Sequence, residues 1–195
     1  MRRGLVLALS SLVICGCVTG YRLVEPGRVR VVGGALAVRP NTAWNKEPRG
    51  PDTIPGEERW TENGPLLDSI TFIAALPDGA AIARQRSRDD RQVPKFYINM
   101  SPEDLVTMLE SYYRIRLEAQ VFKTTGVRPT TFLGGQAIQV DYEYTAADQL
   151  RRRGRSVIAV KNEKLYLIAL DGAALHYFDA ALPDFQAIVA SASTS

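Results

Sequence analysis

From Ile138 to Tyr144 the chain alternates without a break: Ile138, Val140, Tyr142 and Tyr144 are apolar or aromatic, while Gln139, Asp141 and Glu143 are polar. A period of two sends these sets to opposite faces, so the segment reads as a half-buried antiparallel strand and not as a helix. The neighbouring sequence supplies partners. Residues 156–161 and 164–170 flank Asn162-Glu163, a hairpin candidate, and Asp171-Gly172 ends that unit. Residues 57–61 and 66–76 flank Asn63-Gly64, a pair that tolerates positive φ and so favours a hairpin. Residues 121–125 and 128–132 read as two strands around Gly126, and residues 29–38 as a first strand bent at Gly33-Gly34.

Two segments carry helix signals. Ser101 caps, Pro102 fits the first helical position, and Glu103 and Asp104 face the positive end of the dipole. Leu105, Met108, Leu109, Tyr112 and Ile115 then recur at helical spacing, which places a helix at residues 102–119. Leu182-Pro183-Asp184 opens a second helix carrying Phe185, Ile188 and Val189. Residues 41–56 hold Pro48, Pro51 and Pro55 and read as a loop. Strands in hairpins with few helices between them define an α+β class, a curved antiparallel sheet of about six strands flanked by helices. The expected core contains Ile70, Phe72, Leu105, Leu109, Val140, Tyr142, Leu165, Leu167 and Ile188.

The first residues read as a processing signal. Arg2 and Arg3 precede an apolar stretch, Gly4 to Ile14, which is too short to span a bilayer. Both cysteines of the chain, Cys15 and Cys17, follow at once. Ile14-Cys15-Gly16-Cys17 resembles the lipobox of bacterial lipoproteins. The resemblance implies cleavage before Cys17 and acylation of its thiol. Gly16 suits the small position before the acylated cysteine, whereas Ile14 would misfit that position before Cys15. The expected organisation is a signal peptide at 1–16, a lipidated tether at 17–28 and a single domain at 29–192. Two or three acyl chains hold stably to a bilayer where one does not. Val18 stands where such lipoproteins carry an Asp for inner-membrane retention, so the resemblance implies an outer-membrane anchor facing the periplasm.

Composition narrows the function classes. The net charge of +3 includes Arg2 and Arg3, so the mature chain is nearly neutral and lacks the basic excess of a nucleic-acid binder. With Cys17 acylated, no intramolecular disulfide can form and no thiol is left for catalysis.

The segment from Glu58 to Asp68, with Trp60 and Asn63-Gly64-Pro65, the central helix, the strand Lys164-Leu165-Tyr166-Leu167-Ile168 and the closing His176-Tyr177-Phe178 resemble PsbP-type α/β/α sandwiches. That is the fold of a photosystem extrinsic subunit and of many bacterial proteins. The resemblance implies a fold and no function, and it transfers no binding residue.

Candidate chemistry is sparse. His176, the only histidine, lies among Leu175, Tyr177 and Phe178 and reads as a packed residue. Asp141 and Glu143 share one strand face, as an acid–base pair would, but they read better as part of a solvated outer face. No catalytic residue, metal ligand or cofactor is assigned. Arg151, Arg152, Arg153 and Arg155 form a basic run that reads either as a solvated loop or as a contact for anionic headgroups or an acidic partner. Trp44, Trp60 and Tyr112 are candidates for a pocket, or else pin the proline-rich loop to the sheet. The sequence thus leads to a lipid-anchored, non-enzymatic envelope protein that binds a protein partner or supports an assembly. The rival is a small-molecule or lipid binder using a pocket between sheet and helix.

Overall fold

The computed structural model describes residues 20–85 and 92–194. The lipobox, Cys17 and residues 86–91 lie outside the described residues. In order come β1 (Arg22–Val24), β2 (Val29–Val31), a 3-10 turn (Val32–Gly34), β3 (Leu36–Val38), β4 (Trp44–Lys46), β5 (Glu57–Thr61), β6 (Asp68–Pro77), α1 (Pro102–Arg116), β7 (Val121–Phe132), β8 (Gly135–Thr145), β9 (Arg151–Lys161), β10 (Lys164–Ala173), α2 (Tyr177–Ser191) and β11 (Ser193–Thr194). The main sheet has eight strands, ordered β1-β4-β5-β6-β10-β9-β8-β7, and every pairing in it is antiparallel. A small sheet, β11-β3-β2, lies apart. The α+β class stands, with more strands than the six expected, because short β1 and β4 extend the edge beyond the Asn63-Gly64 hairpin.

Alternation along the strands sorts the core into two layers. Ile73, Leu165, Leu167, Val140, Tyr142 and Ile158 face α1 through Leu105, Met108, Leu109 and Tyr113. Ile70, Phe72, Ile168, Leu170, Trp60 and Trp44 face α2 and the small sheet through Phe178, Phe185, Ile188 and Leu36. Every residue of the expected core is buried. At roughly 1.5–3 kcal/mol for each large apolar side chain, these two layers dominate the stabilisation.

α1 begins where the sequence places it. The Ser101 hydroxyl accepts from the Asp104 N–H at 3.1 Å, and the Asp104 carboxylate accepts from the Ser101 N–H at 2.9 Å. It stops at Arg116, short of 119, because Glu118 takes a positive φ and the Ala119 N–H turns back to the Tyr113 carbonyl. α2 starts at Tyr177, earlier than Pro183 suggests, and Pro183 lies inside it. The backbone at Phe178 packs directly on Gly172, and burial of Phe178 and Ala181 outweighs the proline's missing donor.

Two further expectations are corrected. The stretch 121–132 is a single edge strand with a register shift between Thr124 and Gly126, and the edge position tolerates Pro129. The basic run is no loop: β9 begins at Arg151, pairs with β8 over residues 151–158 and with β10 over residues 152–161.

Candidate binding cleft at one end of the sheet

As strand residues, the four arginines alternate between faces. Arg151, Arg153 and Arg155 face the α2 side, and Arg152 points beneath α1. Each meets a carboxylate of the same chain: Arg151 with Glu143 at 2.6 Å, Arg152 with Asp148 at 2.6 Å, Arg153 with Asp179 at 2.8 Å and Arg155 with Asp141 at 2.5 Å. Arg153 also lies 4.5 Å over the Phe178 ring. Asp141 receives Arg128 as well, at 3.2 Å, so Asp141 and Glu143 serve as ion-pair partners of neighbouring strands.

Trp44 and Trp60 lie on one side of the sheet and Tyr112 on the other, so the three do not line a common pocket. The Trp44 indole donates to Asp184 of α2 at 2.6 Å, and that of Trp60 donates to Glu58 at 2.9 Å. The first ties β4 to α2; the second lies within β5, whose Glu58 also accepts from the Val32 N–H at 2.9 Å. His176 precedes α2, is exposed, and sets its ring edge-on to Tyr177 at 5.4 Å.

Sequence reasoning missed the polar floor beneath the C-terminal half of α1. On that face the register brings together Arg59 opposite Thr71, Ser69 opposite Asp171, and Asp171 opposite Gly154. Ser69, Thr71, Arg152, Ser156 and Asp171 are all buried there. Gly154 is a packing requirement: a Cβ at that position would overlap the Tyr142 ring. The ring fills that space, and its hydroxyl donates to Asp171 at 3.3 Å and lies 3.2 Å from Ser156. Tyr113, from α1, donates to the other carboxylate oxygen at 2.7 Å.

Burial pushes the Asp171 carboxyl up to about 6, against the lowering influence of the Tyr113 hydrogen bond and the Arg59 charge. The same burial raises Tyr113, Tyr142 and Tyr144 well above the ordinary phenol range. The Arg152 hydrogen bond holds Asp148 down at about 2. Arg152 also donates to the Leu66 carbonyl at 3.1 Å, tying β9 to the connection before β6.

Above this floor opens a cleft of about 190 Å³, bounded by Arg59, Leu66, Leu117, Tyr144, Arg152 and Asp171. It is framed by residues 65–67, by residues 146–148 and by Leu117 just past α1, with buried polar groups at its base, and its volume is too small for an acyl chain. Leu66 on its rim is 67% exposed. Leu175, in the connection from β10 to α2, is 97% exposed. The Ala173 N–H bonds to the Leu67 carbonyl at 2.8 Å, which holds the two connections at the same end of the sheet.

No protein-family model matches the chain, and a search of curated proteins finds no match. Solved structures do match. Cyanobacterial PsbP from Synechocystis sp. PCC 6803 superposes with a TM-score of 0.57 at 12% identity, covering 94% of this chain and 99% of that one. The Ran-binding protein Mog1p of Saccharomyces cerevisiae gives a TM-score of 0.48 at 9% identity, covering 90% and 96%. LpqN of Mycobacterium tuberculosis, described as involved in cell envelope biogenesis, gives 0.34 at 12% identity, covering 93% and 88%. Of these three, the first shows architecture alone: this chain shares the fold of cyanobacterial PsbP.

Proposed function

We propose that the protein is a lipid-anchored cell-envelope protein whose domain is a non-catalytic binding module. It meets a protein partner with the end of the sheet that carries Leu66 and Leu175. The exposure of Leu66 on the rim of this cleft, with exposed Leu175 in a connection at the same end of the sheet, is the observation that supports this most directly. An isolated exposed leucine needs no explanation, but two large aliphatic side chains at one end of the sheet, one of them on the rim of a concave polar site, resemble the anchor points of an interface. The cleft has room for one partner side chain, and Arg59, Arg152 and Tyr144 offer it polar contacts. The anchor on Cys17 is argued from the lipobox and places the module at a membrane surface, expected to be the outer membrane facing the periplasm.

The test is quantitative co-purification from native membranes. A specific partner should be recovered with the wild-type chain and be depleted at least about tenfold, a difference near 1.4 kcal/mol, with the Leu66→Ser, Leu175→Ser double variant. Equal recovery with both chains contradicts the reading.

A further inference from the structure

Among the described residues, the arginines fall into two groups. Those from Arg49 onward each pair with a carboxylate or a backbone carbonyl of the chain. Arg22, Arg28, Arg30 and Arg39 are exposed, and none of their guanidinium groups has a hydrogen bond or ion pair with a described residue. Glu25, itself exposed, is the only carboxylate between residues 20 and 46. The start of the domain therefore carries a positive excess that no described side chain balances.

Strand pairing gathers this excess on one surface. Val31 of β2 and Leu36 and Val38 of β3 are buried in the layer that holds α2. A period of two then sends Arg28 and Arg30 to the outer face of the small sheet, together with Arg39. The register sets Val29 opposite Val38, and the Gly27 N–H bonds to the Pro40 carbonyl at 3.1 Å, so Arg28 and Arg39 stand opposite one another. Like charges so placed repel. The two border a surface cavity of about 220 Å³ beside Ser191, and no carboxylate lines it. Arg22 shares parity with Val24, which packs into the same layer as Val31, so it adds its charge on the same side of the main sheet.

Chain length decides what this surface can meet. β1 is paired with β4 at the edge of the main sheet, and Tyr21 directly precedes it. From Cys17 to Tyr21 there are four peptide links, a reach of at most about 14 Å. An acyl chain on Cys17 therefore holds this edge close to a bilayer, where exposed charges act over about 8 Å at physiological ionic strength. The arginines of β9 are neutralised within the chain, so the unbalanced ones are those nearest the anchor. We propose that, given the acylation of Cys17 argued above, the outer face of the small sheet lies on the anionic phospholipid surface that holds the anchor, through Arg28, Arg30 and Arg39. Lipid phosphodiesters supply the counter-charge that the opposed Arg28 and Arg39 lack, and a guanidinium group matches phosphate oxygens in pairs. The contact turns the α2 side of the domain to the bilayer and α1 away from it.

The test is fluorescence quenching of the lipidated chain, purified from native membranes and reconstituted into vesicles of phosphatidylcholine with phosphatidylglycerol. A fluorophore is placed through Ser193→Cys, opposite Ala37 in the small sheet, or through Thr107→Cys, exposed on α1 in the other layer. A lipid with a nitroxide headgroup quenches the label that lies at the surface. The Ser193 label should be quenched at least about twofold more than the Thr107 label, since the layers on either side of the sheet stand on the order of 10 Å from it. The difference should vanish when Arg28→Gln, Arg30→Gln and Arg39→Gln are combined, and in vesicles of phosphatidylcholine alone. If the triple variant fails to fold, the neutral vesicles make the same comparison with the arginines in place. Equal quenching of the two labels in the anionic vesicles, or a difference that persists in neutral ones, overturns the proposal. Flotation with neutral vesicles at about 1 M salt, where the Debye length is about 3 Å, reads the anchor by itself. A chain that floats there yet shows equal quenching contradicts the contact alone. A chain that does not float contradicts the acyl anchor and removes the contact with it.

Discussion

The Tyr113 hydroxyl donates a 2.7 Å hydrogen bond to Asp171 across the interface between α1 and β10, with both residues buried. Tyr142 reaches the same carboxylate from β8, and its hydroxyl is 2.5 Å from that of Tyr113. One carboxylate thus couples the helix to the centre of the sheet, at the floor of the cleft.

That coupling gives stability a definite pH dependence. Burial raises Asp171 from 3.8 to about 6, while in the unfolded chain it ionises near its ordinary value. Between those values the folded state retains a proton that the unfolded state has lost. The stabilisation is fully present below 3.8 and is lost as pH rises through about 6, a change of roughly 3 kcal/mol for two units. The charges and phenols facing Asp171 from other elements are Arg59, Arg152, Tyr113, Tyr142 and Tyr144, none of which changes protonation in that window. Urea unfolding across it should show the wild-type chain losing stability relative to Asp171→Asn as pH rises. Parallel curves for the two chains contradict the assignment.

The two closest backbone approaches rank two glycines. Gly154→Ala sets a methyl against the Tyr142 ring, a side chain that can shift at a cost of about 1–3 kcal/mol. Gly172→Ala sets it against the backbone of Tyr177 and Phe178, so α2 itself must move. Chemical denaturation should find Gly172→Ala the more destabilising of the two. The reverse order contradicts this account of how α2 docks.

Much of this architecture was legible in local pattern, and the rest was lost for identifiable reasons. The alternation at residues 138–144, the Ser101 cap and the Asn63-Gly64 turn act over a few residues, and each led to the observed element. α2 was placed late because Pro183 is a strong local signal, whereas the packing on Gly172 that overrides it is tertiary. The basic run read as a loop because its balancing charges, Glu143, Asp141 and Asp179, come from other elements. Asp171 read as the end of the hairpin unit, yet it shares parity with Leu165, Leu167 and Ala169. That parity was the available sign that it points into the α1 layer.

The arginines of β9 should therefore differ from one another. Arg151 has a 69% exposed side chain, and Arg151→Ser should change stability by no more than about 0.5 kcal/mol. Arg152 has an 8% exposed side chain bonded to Asp148 and to the Leu66 carbonyl, so Arg152→Ser should cost about 1–3 kcal/mol. Thermal or urea unfolding of the two single variants checks this, and equal effects contradict it.

The anchor has its own test in metabolic acyl labelling and membrane fractionation. Cys17→Ser should abolish labelling and release the chain from membranes or leave it uncleaved, whereas Cys15→Ser should do neither. Labelling that survives Cys17→Ser contradicts the lipobox assignment.

The central claim is that the Leu66–Leu175 end meets a protein partner, and site-specific photocrosslinking in native membranes tests it most directly. A photoreactive residue is placed at position 66, at position 175, or at Glu163 in the β9–β10 turn at the opposite end of the sheet. The account predicts one common protein adduct from positions 66 and 175 and none of that size from 163. The same adducts from all three positions, or adducts from 163 alone, would contradict it.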